Sequence, residues 1–174
     1  MVDRRSLAEA EALDRADPLG WVRERFALPE GVIYLDGNSL GALPKAVVPR
    51  LDDVVRRQWG RDLIGSWNIH DWIDLPARVG AKIGRLIGAA PGTVVAADST
   101  SINLFKVLAV ALRLRPGRNV ILTERGNFPT DGYIAGGVAE LLGAEVRSAD
   151  PQSLTASLDG SVAVLLLTEV DYRT

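Results

Sequence analysis

A cluster of hydroxyl and carboxyl side chains occupies residues 98–101, in the order Asp-Ser-Thr-Ser. An apolar run precedes it over 93–97, and a run with helical periodicity follows it over 102–114, so the pattern predicts a buried strand, a tight turn and a helix. Asp, Ser and Thr are all favoured caps for a helix N-terminus. The first turn of a helix has unpaired backbone N–H groups and the positive end of the dipole, and both favour a phosphate or a carboxylate. An ordinary capped βα turn would contain the same residue types, so this pattern alone leaves both interpretations open.

Residue types restrict the other chemistry that the chain can carry. Because the sequence has no cysteine, disulfides, cysteine–metal sites and thiol nucleophiles are excluded. His70 is the only histidine, and without a second ligand at metal-binding spacing it gives little support for a metal site. Lysine chemistry is limited to three candidates, Lys45, Lys82 and Lys106.

Aromatic residues are concentrated between positions 59 and 72, where Trp59, Trp67 and Trp72 stand close to Asn68 and His70. We interpret residues 60–72 as an irregular loop that aromatic packing anchors. The alternative is a loop that lines a pocket for an aromatic ligand.

The first half of the chain has mainly helical patterns. Periodic apolar positions predict helices over 4–16, 19–26, 44–59 and 75–87, and a short strand over 32–35. The side chains predicted to be buried in the second of these helices are Trp21, Val22 and Phe26. Those predicted to form the apolar face of the last one are Leu75, Val79, Ile83, Leu86 and Ile87.

From residue 93 onward, strand and helix patterns alternate. Strands are predicted over 93–97, 119–123, 145–147 and 162–168, and helices over 102–114, 132–142 and 151–158. Apolar strands without polar alternation, separated by helices, are typical of an α/β fold with a mainly parallel sheet and helices on both faces. We therefore predict an N-terminal helical segment over 1–90 and the first part of an α/β domain over 91–174. Ligands bind such sheets at the carboxyl ends of the strands.

Charge and hydropathy exclude several classes of function. The 174 residues have a net charge of −2, from 20 basic and 22 acidic residues that are well mixed along the chain. There is no basic stripe for nucleic acid or an anionic membrane, no apolar run of membrane-spanning length, and no apolar signal segment after Met1. We expect a cytoplasmic protein whose partner is a small-molecule substrate.

Five motifs, in order, extend this interpretation: 34–41 (YLDGNSLG), 66–68 (SWN), 98–106 (DSTSINLFK), 127–131 (NFPTD) and 167–174 (LTEVDYRT). Together they resemble the kynureninases, which are pyridoxal 5′-phosphate (PLP) enzymes of the aspartate-aminotransferase fold type I. The resemblance extends from about residue 19 to residue 174. Each motif is weak alone, but five at matching intervals are a specific signal.

The resemblance implies a fold, a reaction and a cofactor. The fold would be the large domain of the PLP-dependent transferases. The reaction would be hydrolytic cleavage of L-kynurenine to anthranilate and L-alanine, or of its 3-hydroxy analogue, in tryptophan degradation and NAD biosynthesis. PLP would serve as the electron sink, and the complete enzyme would be a homodimer.

The resemblance also implies roles for individual residues. Thr100 and Ser101 would bind the PLP phosphate, Phe128 would stack on the pyridine ring, and Asp131 would be an acid of the cofactor pocket. The remaining positions that the resemblance assigns are Pro129, Thr130 and Thr168 on the cofactor side, and Asn38, Ser39 and Trp67 on the substrate side.

One departure from the family pattern limits the expected activity. The Schiff-base lysine and the aspartate that pairs with the pyridinium nitrogen lie beyond position 174 in the family, and Lys106 does not match that lysine. We therefore interpret the chain as an N-terminal fragment that is inactive alone.

Three alternatives stay open at this stage. The first is another fold-type I PLP enzyme, of the cysteine desulfurase-like or aminotransferase-like kind. The second is a Rossmann-like nucleotide-binding module, for which Gly37 and Gly41 are a poor fingerprint. The third is a non-catalytic phosphate-binding fragment.

Overall fold

The chain divides into two compact units, one up to Leu75 and one from Pro76 onward. The structure is a computed structural model, and it describes residues 6–171 and residue 173. The functional division that the sequence suggests at residue 90 is a separate matter and stays a prediction.

The first unit begins with helix α1, Leu7–Ala16. Ser6 caps it in a capping box, in which the Ser6 hydroxyl accepts from the Glu9 N–H and the Glu9 carboxylate accepts from the Ser6 N–H. The predicted start at residue 4 lies outside the described residues. A 3₁₀ helix, Gly20–Arg25, follows where we predicted a short helix. The prediction that Trp21 is buried is wrong, because its side chain is 61% exposed and lies under the Arg25 guanidinium, 5.8 Å from the ring centroid.

A two-residue antiparallel ladder joins strand β1, Phe26–Ala27, to strand β2, Leu43–Pro44. The strand predicted over 32–35 is not formed, and Ile33 and Leu35 in it are exposed. A strand needs a neighbouring ladder, and in the described part of this unit the only ladder joins β1 and β2. Pro44 is part of that ladder, so the predicted helix begins later than residue 44.

A nearly continuous helical path then extends to residue 69. Helix α2, Val47–Asp53, continues into a π-helical turn, Val54–Trp59, and into the short helix α3, Gly60–Asp62. A 3₁₀ turn, Leu63–Gly65, and helix α4, Ser66–Ile69, complete it. The prediction that 60–72 is irregular is therefore wrong over most of its length, because short α-helical and 3₁₀ turns follow one another from residue 60 to residue 69.

Helix α5, Leu75–Ile87, has the predicted bounds, but the residues it buries are not its periodic apolar side chains. Its buried residues are Gly80 and Gly84, whereas Leu86 in the predicted apolar face is 87% exposed. The segment predicted as a strand over 93–97 has no ladder in the described structure. Instead, its backbone at Val94 lies directly against Gly80, so a close backbone approach replaces side-chain packing.

The second unit contains the sheet. Helix α6, Thr100–Arg113, leads into strand β3, Val120–Glu124, and helix α7, Pro129–Leu142, leads into strand β4, Glu145–Ala149. Strand β5 is Val162–Leu166. Both ladders are parallel, with the order β4-β3-β5. The α/β class and the parallel sheet are thereby confirmed, and Gly143 ends α7 in the left-handed conformation, as its type predicts.

The two faces of the sheet are covered differently. On one face α6 and α7 pack on the sheet, in a core whose buried members are Leu108, Leu112, Ile121, Ala135, Val138, Ala139 and Leu166. On the other face, Val120 and Leu122 belong to a second cluster, against which Leu154 packs. Two 3₁₀ turns, Pro151–Ser153 and Thr155–Ser157, replace the helix predicted over 151–158. The predicted α-helical cover of both faces is therefore met on one face only within the described residues.

The helices of the described chain are also short in membrane terms. None of those in residues 6–171 combines the length and the apolar character that a bilayer crossing requires.

The close approach at Gly80 predicts opposite effects of alanine at two helical glycines. A Cβ at Gly80 would lie 2.1 Å from the Val94 carbonyl oxygen, so Gly80→Ala should lower the free energy of unfolding by about 1–3 kcal/mol. A Cβ at Gly84 would lie 3.5 Å from a Val94 methyl group, so Gly84→Ala should raise it by up to about 1 kcal/mol through helix propensity. Urea unfolding of the two variants measures both effects, and equal effects would contradict the packing described here.

Candidate functional site

Hydrogen bonds that involve the side chains of Ser99 and Asn103 fix the turn before α6. Ser99 is the N-cap, and its hydroxyl accepts from the Ile102 N–H at 3.4 Å. The Asn103 N–H donates to the Ser99 carbonyl at 2.9 Å, and the Asn103 carboxamide donates to the Ala97 carbonyl at 2.7 Å. The side chain of Asn103 thus fixes the chain as it enters the helix.

Asp98 has an unusual backbone conformation at this turn. Its φ of 45° lies in the left-handed region, which costs a non-glycine residue about 1–3 kcal/mol. Its carboxylate forms an ion pair with the ammonium group of Lys106, two turns along α6. Lys106, the lysine of the helix that follows the predicted phosphate turn, is therefore bound to a carboxylate.

These contacts leave two backbone donors at the start of α6. Ser99 satisfies the N–H groups of Ile102 and Asn103, whereas those of Thr100 and Ser101 belong to the first turn, which has no intrahelical acceptors. The Thr100 side chain is exposed and that of Ser101 is half-buried. The arrangement can bind an anion through two N–H groups and two hydroxyls at the positive end of a 14-residue helix.

A second feature is a cleft of about 170 Å³ at the carboxyl ends of β3 and β5. Its lining residues are Glu124, Gly126, Asn127, Phe128, Thr168, Glu169, Val170 and Asp171. Phe128 is the residue before α7, and 44% of its surface is exposed. The cleft therefore contains an aromatic side chain, the residue type that stacks on planar ligands.

A hydrogen-bond chain connects the two strands below this cleft. The buried Thr123 hydroxyl donates to the Leu166 carbonyl at 2.9 Å and accepts from the Asn127 carboxamide at 3.0 Å. The Asn127 carboxamide oxygen accepts from the Thr168 hydroxyl and from the Phe128 N–H. Asn127 therefore orients Phe128 and Thr168, two of the predicted site residues. Sequence reasoning missed this role, although Asn127 is the first residue of the motif at 127–131.

Chain direction places both helix N-termini at the same edge of the sheet. Residues 114–119 connect the end of α6 to the start of β3, and α7 begins five residues after β3 ends. Both helices pack on one face, so each runs back against the strands. Thr100 and Ser101 thus share the carboxyl edge with Thr168 and with the start of α7, where Pro129 is the first helical residue and Thr130 and Asp131 are half-buried.

The predicted substrate-side residues lie in the first unit. Asn38 and Ser39 form a turn in which the Ser39 and Leu40 N–H groups point to the Asp36 carbonyl, and the Tyr34 hydroxyl donates to the Leu40 carbonyl at 2.5 Å. Both side chains are exposed. Trp67 lies in α4 with 46% of its surface exposed.

Sequence reasoning missed a buried carboxamide close to Trp67. Gln58 is 1% exposed, and its side chain donates to an Asp53 carboxylate oxygen at 2.8 Å. Asp53 also accepts two hydrogen bonds from Arg57, at 2.6 and 2.9 Å. The hydrogen bonds from Arg57 and then Gln58 lower the pKa of Asp53 from its ordinary 3.8 to about 2. The one sequence signal was the position of a glutamine on the apolar side of an amphipathic helix.

Comparison with known proteins gives one consistent answer. A kynureninase of Deinococcus radiodurans is 53% identical to this chain over an alignment of 174 positions, which covers 97% of this chain and 42% of the relative. A kynureninase of Pseudomonas fluorescens is 52% identical over 170 residues, with 94% and 41% covered. A third, from Burkholderia pseudomallei, is 51% identical over 173 residues, with 95% and 42% covered. Over nearly its whole length, this chain resembles kynureninase. No protein-family model matches it.

The coverage is unequal in the two directions. The chain spans about two fifths of the length of the kynureninases it matches, while almost all of the chain is matched. This agrees with the expectation of a portion of a kynureninase sequence. The resemblance that five motifs carry is therefore confirmed, and it extends through both compact units.

The Asp53 cluster predicts a specific dependence of stability on acid. Because the folded-state pKa of Asp53 lies below the ordinary value, the ionised carboxylate stabilises the fold above about pH 4, and this contribution is lost as the pH falls through about 2. Asp53→Asn should therefore flatten the decrease in stability between pH 4 and pH 2, which urea unfolding at several pH values measures.

Asp52→Asn is the matched control, because Asp52 binds Arg56 instead. If the Asp53 variant loses stability as steeply in acid as the wild type does, the proposed role of this carboxylate is wrong.

Proposed function

We propose that this chain is part of a PLP-dependent kynureninase, which hydrolyses L-kynurenine to anthranilate and L-alanine, or 3-hydroxykynurenine to 3-hydroxyanthranilate. Identity of 51–53% to three kynureninases over almost the whole chain supports the assignment. The structural observation that carries it is the cleft at the carboxyl edge of the sheet, which Phe128 and Thr168 line; the direction of the chain assigns the capped N-terminus of α6 to the same edge.

The described residues fit the phosphate end of the cofactor. Thr100 and Ser101 offer first-turn N–H groups and hydroxyls, and the helix dipole favours an anion there. In this proposal those two residues bind the PLP phosphate, and Phe128 packs on the ring. When bound, PLP supplies an electron sink for carbanion chemistry.

Other residues of the same edge hold these groups in place. Asn127 orients Phe128 through its backbone N–H and Thr168 through its hydroxyl. Asp131, in the first turn of α7, is the proposed acid of the cofactor pocket, and Pro129 and Thr130 start that helix. Each of these roles is a matter of binding and orientation.

We place the lysine that binds the cofactor covalently outside this sequence. Lys106 is bound to Asp98, Lys82 lies in α5, and Lys45 lies in the turn between β2 and α2. Accordingly, the 174 residues alone would be inactive. In the complete enzyme, which we propose to be a homodimer with the large-domain fold of the PLP-dependent transferases, Asn38, Ser39 and Trp67 face the substrate.

Turnover of kynurenine by the complete gene product tests the proposal. The protein reconstituted with PLP should release anthranilate and alanine from L-kynurenine in stoichiometric amounts, measured by anthranilate fluorescence and amino-acid analysis. Desulfuration of cysteine or amino-group transfer to a 2-oxo acid, without release of anthranilate, would instead favour another fold-type I PLP enzyme, which the comparisons do not favour.

A charge substitution tests the phosphate position separately. Thr100→Asp places a carboxylate at the first position of α6, where it interacts favourably with the helix dipole but repels a phosphate. We expect the Kd of the complete protein for PLP to rise at least about fivefold, while the midpoint of unfolding does not fall.

The Kd for pyridoxal, which has no phosphate, should change little. Thr155→Asp, in an exposed 3₁₀ turn, is the control. Equal loss of affinity for PLP and pyridoxal would contradict a phosphate site at this helix.

A further inference from the structure

The buried carboxamide of Gln58 lies in the π-helical turn Val54–Trp59. Such turns insert one residue into an α-helix and are frequent at functional sites. Here the turn directs a polar side chain into the interior of the first unit, where a polar group is costly unless it is fully hydrogen-bonded.

Gln58 is hydrogen-bonded at three points, and two of them reach the segment that contains Trp67. Its carboxamide oxygen accepts from the Trp72 indole N–H at 2.8 Å. Its backbone carbonyl accepts from the hydroxyl of Ser66, which is fully buried. The third bond, to Asp53, anchors the carboxamide to α2. Ser66 is thus bound to the backbone of Gln58, and Trp72 is bound to its side chain.

The segment between these two anchors is itself constrained. Leu63 and Asp71, with φ of 46° and 53°, are two of the three described non-glycine residues with positive φ; Leu63 precedes the segment and Asp71 lies within it. His70 contacts the Asp62 carboxylate at 2.6 Å, and the Ile73 N–H donates to the Trp67 carbonyl at 3.2 Å. Residues held in such conformations cluster at binding sites, because the surrounding contacts must over-determine them.

The Trp67 indole is partly exposed, in contrast to the constrained backbone that carries it. The residue before it is fully buried, whereas 46% of the Trp67 surface is exposed. A fixed backbone with an exposed aromatic side chain is an arrangement that presents a flat apolar surface to a ligand at little entropic cost on binding.

We propose that Gln58 is a positioning residue, which sets the orientation of the Trp67 indole for contact with the aromatic ring of the substrate. The inference rests on the proposed function, since it takes Trp67 as a substrate-side residue. Gln58 itself does not touch the substrate, and it acts through Ser66 and Trp72.

Kinetics of the complete protein test this role. Gln58→Met keeps the length of the side chain but removes both carboxamide hydrogen bonds. We expect KM for kynurenine to rise roughly 3- to 10-fold, the effect of one or two lost hydrogen bonds, with kcat changed less than about twofold. Trp72→Phe should raise KM in the same way, and the double variant should be no worse than the more impaired single variant. Gln152→Met, in an exposed 3₁₀ turn, is the matched control and should leave KM unchanged.

A spectroscopic measurement separates this inference from the proposed function. With 5-fluorotryptophan in the protein, the ¹⁹F resonance of Trp67, assigned with Trp67→Phe, should be single in the wild type and should broaden or split in Gln58→Met. If the wild type does not turn over kynurenine but the resonance responds in this way, the positioning of Trp67 stands and the proposed substrate is wrong.

An unchanged Trp67 resonance with an unchanged KM in Gln58→Met would overturn the inference. If that variant does not fold, Trp72→Phe and Ser66→Ala, which each remove one bond to Gln58, decide the question by the same two measurements. Loss of stability without a change in KM or in the resonance would also overturn it, because Gln58 would then be only structural.

Discussion

The parallel ladders on both sides of β3 are the interaction on which the second unit depends. Val120, Ile121 and Leu122 are almost completely buried, because β4 and β5 pair with the two edges of the strand and apolar clusters cover its two faces. Since every strand of this sheet points the same way, the connections that follow them emerge at one edge. The proximity of Phe128 to Thr168 is thus a consequence of the ladder, although the two are 40 positions apart in the chain.

Two kinds of contact stabilise the helices of this unit, and they require different residue types at the contact. Helices α6 and α7 pack through ordinary apolar side chains such as Leu108 and Val138. Helix α5 instead brings its backbone against residue 94 through Gly80, where no side chain fits. A hydrophobic periodicity describes the first kind of contact but not the second, because the buried residue has no side chain to count.

This difference explains how far sequence reasoning could go. The strands β3 and β5, the helices α6 and α7 and the capped turn at Ser99 were predictable, because local propensity, capping and burial agree there. The apolar runs at 32–35 and 93–97 have strand-like composition, but strand formation depends on a partner ladder, which composition does not specify. The buried face of α5 and the exposure of Trp21 were likewise decided by tertiary packing. For the site, residue types indicated the anion-binding turn, whereas the roles of Asn127 and Gln58 depend on contacts between distant positions.

The three loops that carry predicted site residues have one feature in common. A carboxamide side chain holds each of them: Asn103 at the turn before α6, Asn127 at the start of α7 and Gln58 at the Trp67 segment. A carboxamide offers donors and an acceptor in one planar group and has no charge in the physiological pH range. It can therefore fix a backbone beside an anion site without adding to or opposing the field of the helix dipole, which a carboxylate or an ammonium group in the same place would alter. Two of the carboxylates near these loops are in ion pairs, Asp98 with Lys106 and Asp53 with Arg57. At the turn before α6, the Asn103 carboxamide fixes the backbone without a charge, and the Asp98 carboxylate is paired with Lys106, so the backbone makes the main contribution to the electrostatic potential there.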